Sequence, residues 1–200
     1  MTIHSVKDDE IERRVITILA AALDCKPSDI VPSAGLQDLG AESLDFLDIA
    51  FRIEKEFRIR MPRLNVLARA EEHFGEGVLV TDGLLTPVGL EVLRKTMPEV
   101  DPARLRPGLR ASEVGRLLSA DTFVRIVRRM LAATRDALVA CPACGGTLEP
   151  SATTCEAICA ACRALIPFQP GDDVLLQDLI ANLCCEEAGL GHQYGRKCGN

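Results

Sequence analysis

The sequence predicts a mainly α protein, in which a four-helix bundle with an inserted segment precedes a small cysteine-rich module and a C-terminal helix. Apolar residues recur at spacings of three and four in several separate stretches, which is typical of helices that bury one face. Two Cys-x-x-Cys pairs near the C-terminus indicate a short non-helical module. The chain has 200 residues, 48% of them apolar, and can therefore bury a substantial core.

The first helix is expected to run from Asp8 or Asp9 to about Leu23, with Ile11 and Val15 facing inward. A loop over residues 24–37 follows, because Pro27 and Pro32 interrupt any regular helix there. Three apolar residues of this loop are expected to anchor it to the core: Ile30, Val31 and Leu36.

The most informative stretch is Leu39-Gly40-Ala41-Glu42-Ser43-Leu44-Asp45, which leads into a helix that ends at Phe57. The acidic residues near the start of this helix, including Asp45 and Asp48, complement the positive end of the helix dipole. Its apolar residues recur at helical spacing in two sets: Leu44, Leu47 and Phe51, and Phe46, Ile49, Ala50, Ile53 and Phe57.

These residues resemble the acyl carrier protein family. The family's usual pattern is Leu-Gly-Ala-Asp-Ser-Leu-Asp before an acidic helix that ends in Glu-x-Glu-Phe, and this chain ends it with Glu54-Lys55-Glu56-Phe57. The resemblance implies that Ser43 carries 4′-phosphopantetheine, on which an acyl or related intermediate is held as a thioester. Glu42 replaces the usual Asp, and Glu is a weaker helix cap. The simpler alternative is that Ser43 is an ordinary helix-start residue.

The resemblance also implies partners. A phosphopantetheinyl transferase would modify Ser43, and acyl-activating and acyl-transferring or condensing enzymes would use the carrier, which would not itself be an enzyme. The residues implied to contact them are four acids: Glu42, Asp45, Asp48 and Glu54.

The carrier-like domain is expected to span residues 1–140 and to contain an insertion at about 64–107. Within the insertion, Thr86 followed by Pro87 predicts the start of a helix that ends at about Met97. The family pattern resumes weakly at residues 109–118, and a final helix, capped by Asp121, is expected to reach about Ala140.

Residues 141–200 are expected to form a module that resembles a zinc ribbon. Two Cys-x-x-Cys pairs can converge on one tetrahedral zinc ion, and four thiolates leave no open position for substrate. The predicted ligands are Cys141, Cys144, Cys159 and Cys162, with Cys155 as an alternative to Cys159. A redox pair and a disulfide are less favoured, because no βαβ pattern surrounds the pairs and no secretory signal precedes them.

A further helix is expected from Asp172 to about Glu187. Beyond its apolar stripe, four residues could supply a second metal site, although unpaired thiols are the favoured interpretation because their spacing is irregular: Cys184, Cys185, His192 and Cys198.

Composition narrows the function classes. The net charge of −6 and the absence of Trp disfavour nucleic-acid binding. No apolar segment is long enough to span a bilayer, and the absence of a secretory signal indicates a cytoplasmic protein. The alternative function is a zinc-ribbon module that binds a protein or a nucleic acid and uses the carrier-like helices only as a scaffold.

Overall fold

The protein is mainly helical, as predicted, in a computed structural model that describes residues 7–63 and 66–184. The bounds of the six described α-helices are α1 Asp8–Ala22, α2 Ser43–Phe57, α3 Val66–Phe74, α4 Pro87–Thr96, α5 Ala120–Ala137 and α6 Gly171–Cys184. Five short strands are described: β1 Val80–Thr81, β2 Leu84–Leu85, β3 Leu148–Pro150, β4 Glu156–Cys159 and β5 Leu165–Pro167. β1 and β2 form a hairpin, and β3, β4 and β5 form an antiparallel sheet in sequence order.

The chain forms two compact units. The first contains the described residues up to Arg63 together with Ser119–Gly171, and the second contains the described residues of 64–118 and those from Asp172 onwards. These units do not follow the boundary predicted at residue 140, since the cysteine module is grouped with α1, α2 and α5. Which segments fold as independent domains stays a prediction.

The core of the first unit lies between α1, α2 and α5. Each helix contributes the residues of one face, because helical spacing of three and four brings them to one side. The rings of Phe46 and Phe123 stack with their centroids 6.4 Å apart. The largest fully buried side chains that these three helices contribute are Val15, Leu19, Ile49, Ile53 and Val127.

The loop before α2 is fastened to the start of α5. The backbone N–H of Asp121 donates to the carbonyl of Pro32 at 3.0 Å. Ile30 and Leu36 are buried, as predicted, but the prediction for Val31 was wrong, since 55% of this residue is exposed. Leu36 therefore anchors the loop just before Ser43.

The start of α5 differs from the prediction. Ser119, not Asp121, is the N-cap residue, and its hydroxyl accepts a hydrogen bond from the N–H of Thr122 at 3.3 Å. Ser119 is 3% exposed, so its short side chain satisfies a donor that water does not reach easily. The helix begins at Ala120 and ends at Ala137, slightly before the predicted end.

The second unit contains the inserted segment. Thr86 caps α4 as predicted, accepting from the N–H of Gly89 at 3.0 Å. The sequence analysis missed α3, whose residue Glu71 accepts hydrogen bonds from Gly77 and Val80 and thereby fixes the following turn. The stretch in which the family pattern was expected to resume contains a 3-10 helix over Ala111–Leu117. The core residues of this unit include Ala70, Leu79, Val92 and Leu179.

The C-terminal helix begins at Gly171 and is described as far as Cys184. Of the suggested second metal site, the Cys184 side chain and all of Cys185, His192 and Cys198 lie outside what the structure describes, so that site stays a prediction. Among the described helices, none combines the length and the apolar character that crossing a bilayer demands.

We expect Ser119→Ala to lower the free energy of unfolding by about 1 kcal/mol, because it removes the cap of α5. Chemical denaturation followed by circular dichroism measures the change. Ser112→Ala is the matched control, since Ser112 is exposed in the 3-10 helix. Equal losses in the two variants would contradict the role given to Ser119.

Candidate functional site

Ser43 is the first residue of α2, and it is exposed. Gly40, three residues earlier, has φ +89°, a left-handed conformation that glycine adopts without strain. A Cβ at Gly40 would meet nothing within 4 Å, so the turn before Ser43 is open. The serine hydroxyl is therefore accessible at the end of a helix, where backbone N–H groups lack intrahelical acceptors and favour an anion.

The replacement of the family's usual Asp by Glu42 leaves the start of α2 well supported. The Asp45 carboxylate accepts a hydrogen bond from the Glu42 backbone N–H, with Oδ2 2.7 Å from the nitrogen. The N–H of Asp45 in turn donates to the Glu42 carbonyl at 3.0 Å. Asp45 thus contributes a local structural bond, in addition to the partner contact predicted for it.

The two apolar sets of α2 lie on different faces of the helix. Phe46, Ile49, Ala50, Ile53 and Phe57 are buried in the core. Leu44, Leu47 and Phe51, which we call the docking stripe, are 76%, 47% and 58% exposed. The spacing of these three residues indicated a helical face, but it could not indicate that this face is left uncovered. The stripe begins at the residue next to Ser43.

Two of the predicted partner-binding acids are paired with arginines. Asp48 Oδ2 lies 2.6 Å from Nε of Arg52. Glu54 Oε2 lies 3.0 Å from Nη2 of Arg63, and the Glu54 side chain is only 15% exposed. Glu54 Oε1 also accepts the backbone N–H of Met61 at 2.9 Å. Two of the four acids predicted to meet partners are therefore already compensated within the chain.

Arg63 also contacts the docking stripe. Its guanidinium carbon lies 4.7 Å from the centroid of the Phe51 ring, the geometry of a cation–π interaction. One arginine thus covers an exposed aromatic ring and neutralises the neighbouring carboxylate of Glu54. The sequence analysis missed Arg63, because nothing in its local pattern shows that the chain turns back along α2 after Phe57.

The four predicted metal ligands come together. The sulfur atoms of Cys141, Cys144, Cys159 and Cys162 all lie within 4.8 Å of one another. The pairs Cys141–Cys162 and Cys144–Cys159 are 3.7 and 3.5 Å apart. Four sulfurs at tetrahedral corners, each about 2.3 Å from zinc, would be about 3.8 Å apart. The donor set and its spacing therefore fit a zinc ion.

The two Cys-x-x-Cys turns have the same backbone design. The Cys141 carbonyl accepts from the N–H of Gly145 at 2.8 Å, and the Cys159 carbonyl accepts from the N–H of Arg163 at 3.0 Å. Gly145 and Arg163 both adopt positive φ, +72° and +62°. A Cβ at Gly146 would lie 3.2 Å from the Cys159 sulfur, a tight contact, so glycine at this position leaves room for the cluster.

Hydrogen bonds tune the cluster's thiols. The backbone N–H of Cys162, 3.5 Å from the Cys159 sulfur, favours the thiolate and helps to lower the pKa of Cys159 to about 6.

Cys155 lies outside the cluster: its sulfur is 3.1 Å from the carbonyl oxygen of Ile59. Burial raises the pKa of the Cys155 thiol. Of the two alternatives weighed from the sequence, Cys159 is the residue whose sulfur lies in the cluster.

An exposed serine at the start of an acidic helix, on a small helical bundle, is the arrangement expected of a protein that carries a serine-linked prosthetic group. The family model described as "phosphopantetheine attachment site" matches residues 13–70. The acyl carrier protein AcpXL of Rhizobium etli is 39% identical over 70 residues, which are 34% of this chain and 72% of that protein. AcpXL of Mesorhizobium japonicum is also 39% identical over 70 residues, 34% of this chain and 71% of that protein. The chain belongs to the acyl carrier protein family. No solved structure gives a significant match.

The matched residues cover most of α1, the loop and α2, which position Ser43, and also the first residues of α3. Members of this family are carriers rather than enzymes. The inserted segment beyond residue 70 and the cysteine module lie outside the matched region.

Proposed function

We propose that this protein is a specialised acyl carrier in which Ser43 bears 4′-phosphopantetheine and a zinc ion binds the four-cysteine cluster. When bound, the prosthetic group supplies a thiol that holds an acyl, aminoacyl or polyketide intermediate as a thioester. The observation that carries the proposal is the exposed Ser43 at the first residue of α2, in a chain of this family. A cytoplasmic location is part of the proposal, because zinc thiolates persist where thiols stay reduced.

The prosthetic group is tested by intact mass after co-expression with a broad-specificity phosphopantetheinyl transferase. We expect the wild-type chain to gain the mass of one phosphopantetheine, and Ser43→Ala to gain none, because the attachment oxygen is lost. Ser28→Ala is the matched control, since Ser28 is also exposed and precedes α2. A gain that persists in Ser43→Ala would assign the group to another residue.

The same spectra separate the carrier from the alternative function. A chain that binds zinc but never accepts the prosthetic group, even with an active transferase, would favour the zinc-ribbon interaction module.

Metal binding is tested by comparing the mass of the protein under native conditions with its mass under denaturing conditions. We expect one zinc ion per chain in the wild type and its loss in Cys144→Ser and Cys159→Ser, because each variant removes one thiolate ligand. Binding should weaken as the pH falls, since protons compete for the thiolates. The lowered pKa of Cys159 favours its thiolate, so this ligand should resist protonation better than an ordinary thiol.

Cys155→Ser and Cys25→Ser are the controls for the metal, since neither sulfur belongs to the cluster. Zinc that disappears from Cys155→Ser but remains in Cys159→Ser would reverse the ligand assignment.

We also propose that partner enzymes, beginning with the transferase, bind α2 through the docking stripe. Burying a leucine or phenylalanine side chain contributes roughly 1.5–3 kcal/mol, whereas exposed ion pairs contribute at most about 1 kcal/mol. Arg52 and Arg63 already compensate two of the four acids expected to meet a basic partner surface. The stripe and Ser43 are continuous on the helix, so a partner that reaches the serine also meets Leu44 and Leu47.

We expect Leu47→Ala to lower the transferase's kcat/KM by about tenfold, because the loss of a buried apolar contact weakens the encounter complex. Val139→Ala is the matched control, since Val139 is 82% exposed outside α2. Steady-state rates at low and high ionic strength should differ little for the wild type. A strong salt dependence, with no effect of Leu47→Ala, would favour recognition through the acids instead.

A further inference from the structure

We propose that the ribbon, residues 141–170, is a metal-dependent clasp that holds the segment after α2 and thereby sets what the docking stripe presents to partners. The held segment is residues 58–63, which we call the strap. This inference rests on the proposed function, because it deepens the roles given there to the metal and to the stripe. It gives the four-cysteine module a regulatory role at the carrier's docking surface.

The ribbon contacts the strap through two polar interactions. The Cys155 sulfur lies 3.1 Å from the carbonyl oxygen of Ile59. The Arg60 guanidinium donates to the carbonyl of Phe168, with Nη1 3.3 Å from the oxygen. Between these contacts the strap is packed closely, since Ile59 and Met61 are 0% and 3% exposed. The strap is therefore held along its length rather than at one point.

The residue that follows the ribbon tightens this contact. A Cβ at Gly171 would lie 2.4 Å from the nitrogen of Pro62 and 2.6 Å from the carbonyl oxygen of Arg60. Both atoms belong to the backbone and cannot move aside as a flexible side chain would. Glycine at this position allows two backbone segments to approach each other more closely than any other residue would permit.

The far side of the strap reaches the docking stripe. Met61 donates its N–H to Glu54, and Arg63 pairs with the same carboxylate. Arg63 then lies over the ring of Phe51. A strap held in place therefore keeps one aromatic residue of the stripe partly covered and one carboxylate of α2 neutralised.

The bound metal keeps the ribbon folded and rigid enough to hold the strap. The ribbon's buried core consists of Cys141, Leu148, Ala157, Cys159 and Phe168, and two of these five residues are predicted ligands. Phe168 belongs to that core and Cys155 packs against it, so both gripping residues depend on it. A core this small stabilises little by itself, and binding energy at the cluster becomes folding energy of the ribbon.

Metal loss would thus change the chemistry of the docking surface. With the ribbon loosened, the strap loses its partners at Ile59 and Arg60, and Arg63 is no longer held across α2. Phe51 then becomes fully available, and Glu54 presents an uncompensated charge. Compared with the metal-free carrier, the metal-loaded carrier therefore presents one aromatic ring more covered and one carboxylate more neutralised.

Hydrogen–deuterium exchange on the full chain tests the clasp. In the zinc-loaded protein we expect slow exchange in peptides that cover the strap, because the Met61 amide donates to Glu54. Removing zinc with a chelator should speed exchange there by at least about tenfold, while peptides from α1 stay unchanged. Unchanged exchange in the strap, or an equal rise in α1, would overturn the proposal.

The variant Gly171→Ala separates the backbone contact with the strap from the binding of zinc. It leaves all four ligands in place but inserts a methyl group between the backbones, so exchange in the strap should rise while the native mass still contains zinc. Gly115→Ala is the matched control, since a Cβ there meets nothing within 4 Å. Cys155→Ala is the second variant, and it should give a smaller rise. Protection that persists in both Gly171→Ala and Cys155→Ala would overturn the clasp.

The intact mass of the same samples tests the proposed carrier function independently of the clasp. A wild-type chain that never binds zinc would overturn the clasp, yet the phosphopantetheine mass on Ser43 would still report the carrier function. A chain that shows zinc-dependent strap protection without modification of Ser43 would retain the clasp and reject the carrier.

Discussion

Burial of one face of α2 against α1 and α5 is the constraint on which the rest of this structure depends. Once Ile49 and Ile53 are committed to the core, the rotation of the helix about its axis is fixed. Ser43 must then begin the helix at the surface, and Leu44, Leu47 and Phe51 must face outward. The same rotation places Glu54 where the returning chain can pair with it through Arg63.

The features that the sequence predicted well are those written in short stretches of chain. The start of α2 at Ser43 lies within the seven consecutive residues that predicted it, and each half of the four-sulfur cluster is one Cys-x-x-Cys turn. The start of α4 was also predicted correctly, because the cap residue Thr86 and Pro87 both lie within the first turn of the helix. In each case the deciding interaction is local, so no knowledge of the tertiary fold was needed.

The features that escaped prediction depend on contacts between distant residues. Helical spacing defined two apolar faces on α2, but only the packing of other helices decides which face is buried. Ser119 displaced Asp121 as the cap of α5 because the chain enters the helix two residues earlier than predicted. Cys155 was weighed as a ligand, yet its sulfur contacts the carbonyl of a residue 96 positions away. No local pattern reports such a contact.

The contact between Gly171 and the strap also bears on how such a carrier could have been assembled during evolution. A ribbon joined to an ancestral carrier by a loose linker would need no fit to its host and could be exchanged freely. Here Gly171, directly after the ribbon, lies against the backbone of the strap, so each segment constrains the substitutions that the other tolerates. The ribbon and the strap are therefore expected to be inherited together, and a graft of the ribbon onto another carrier would have to include both.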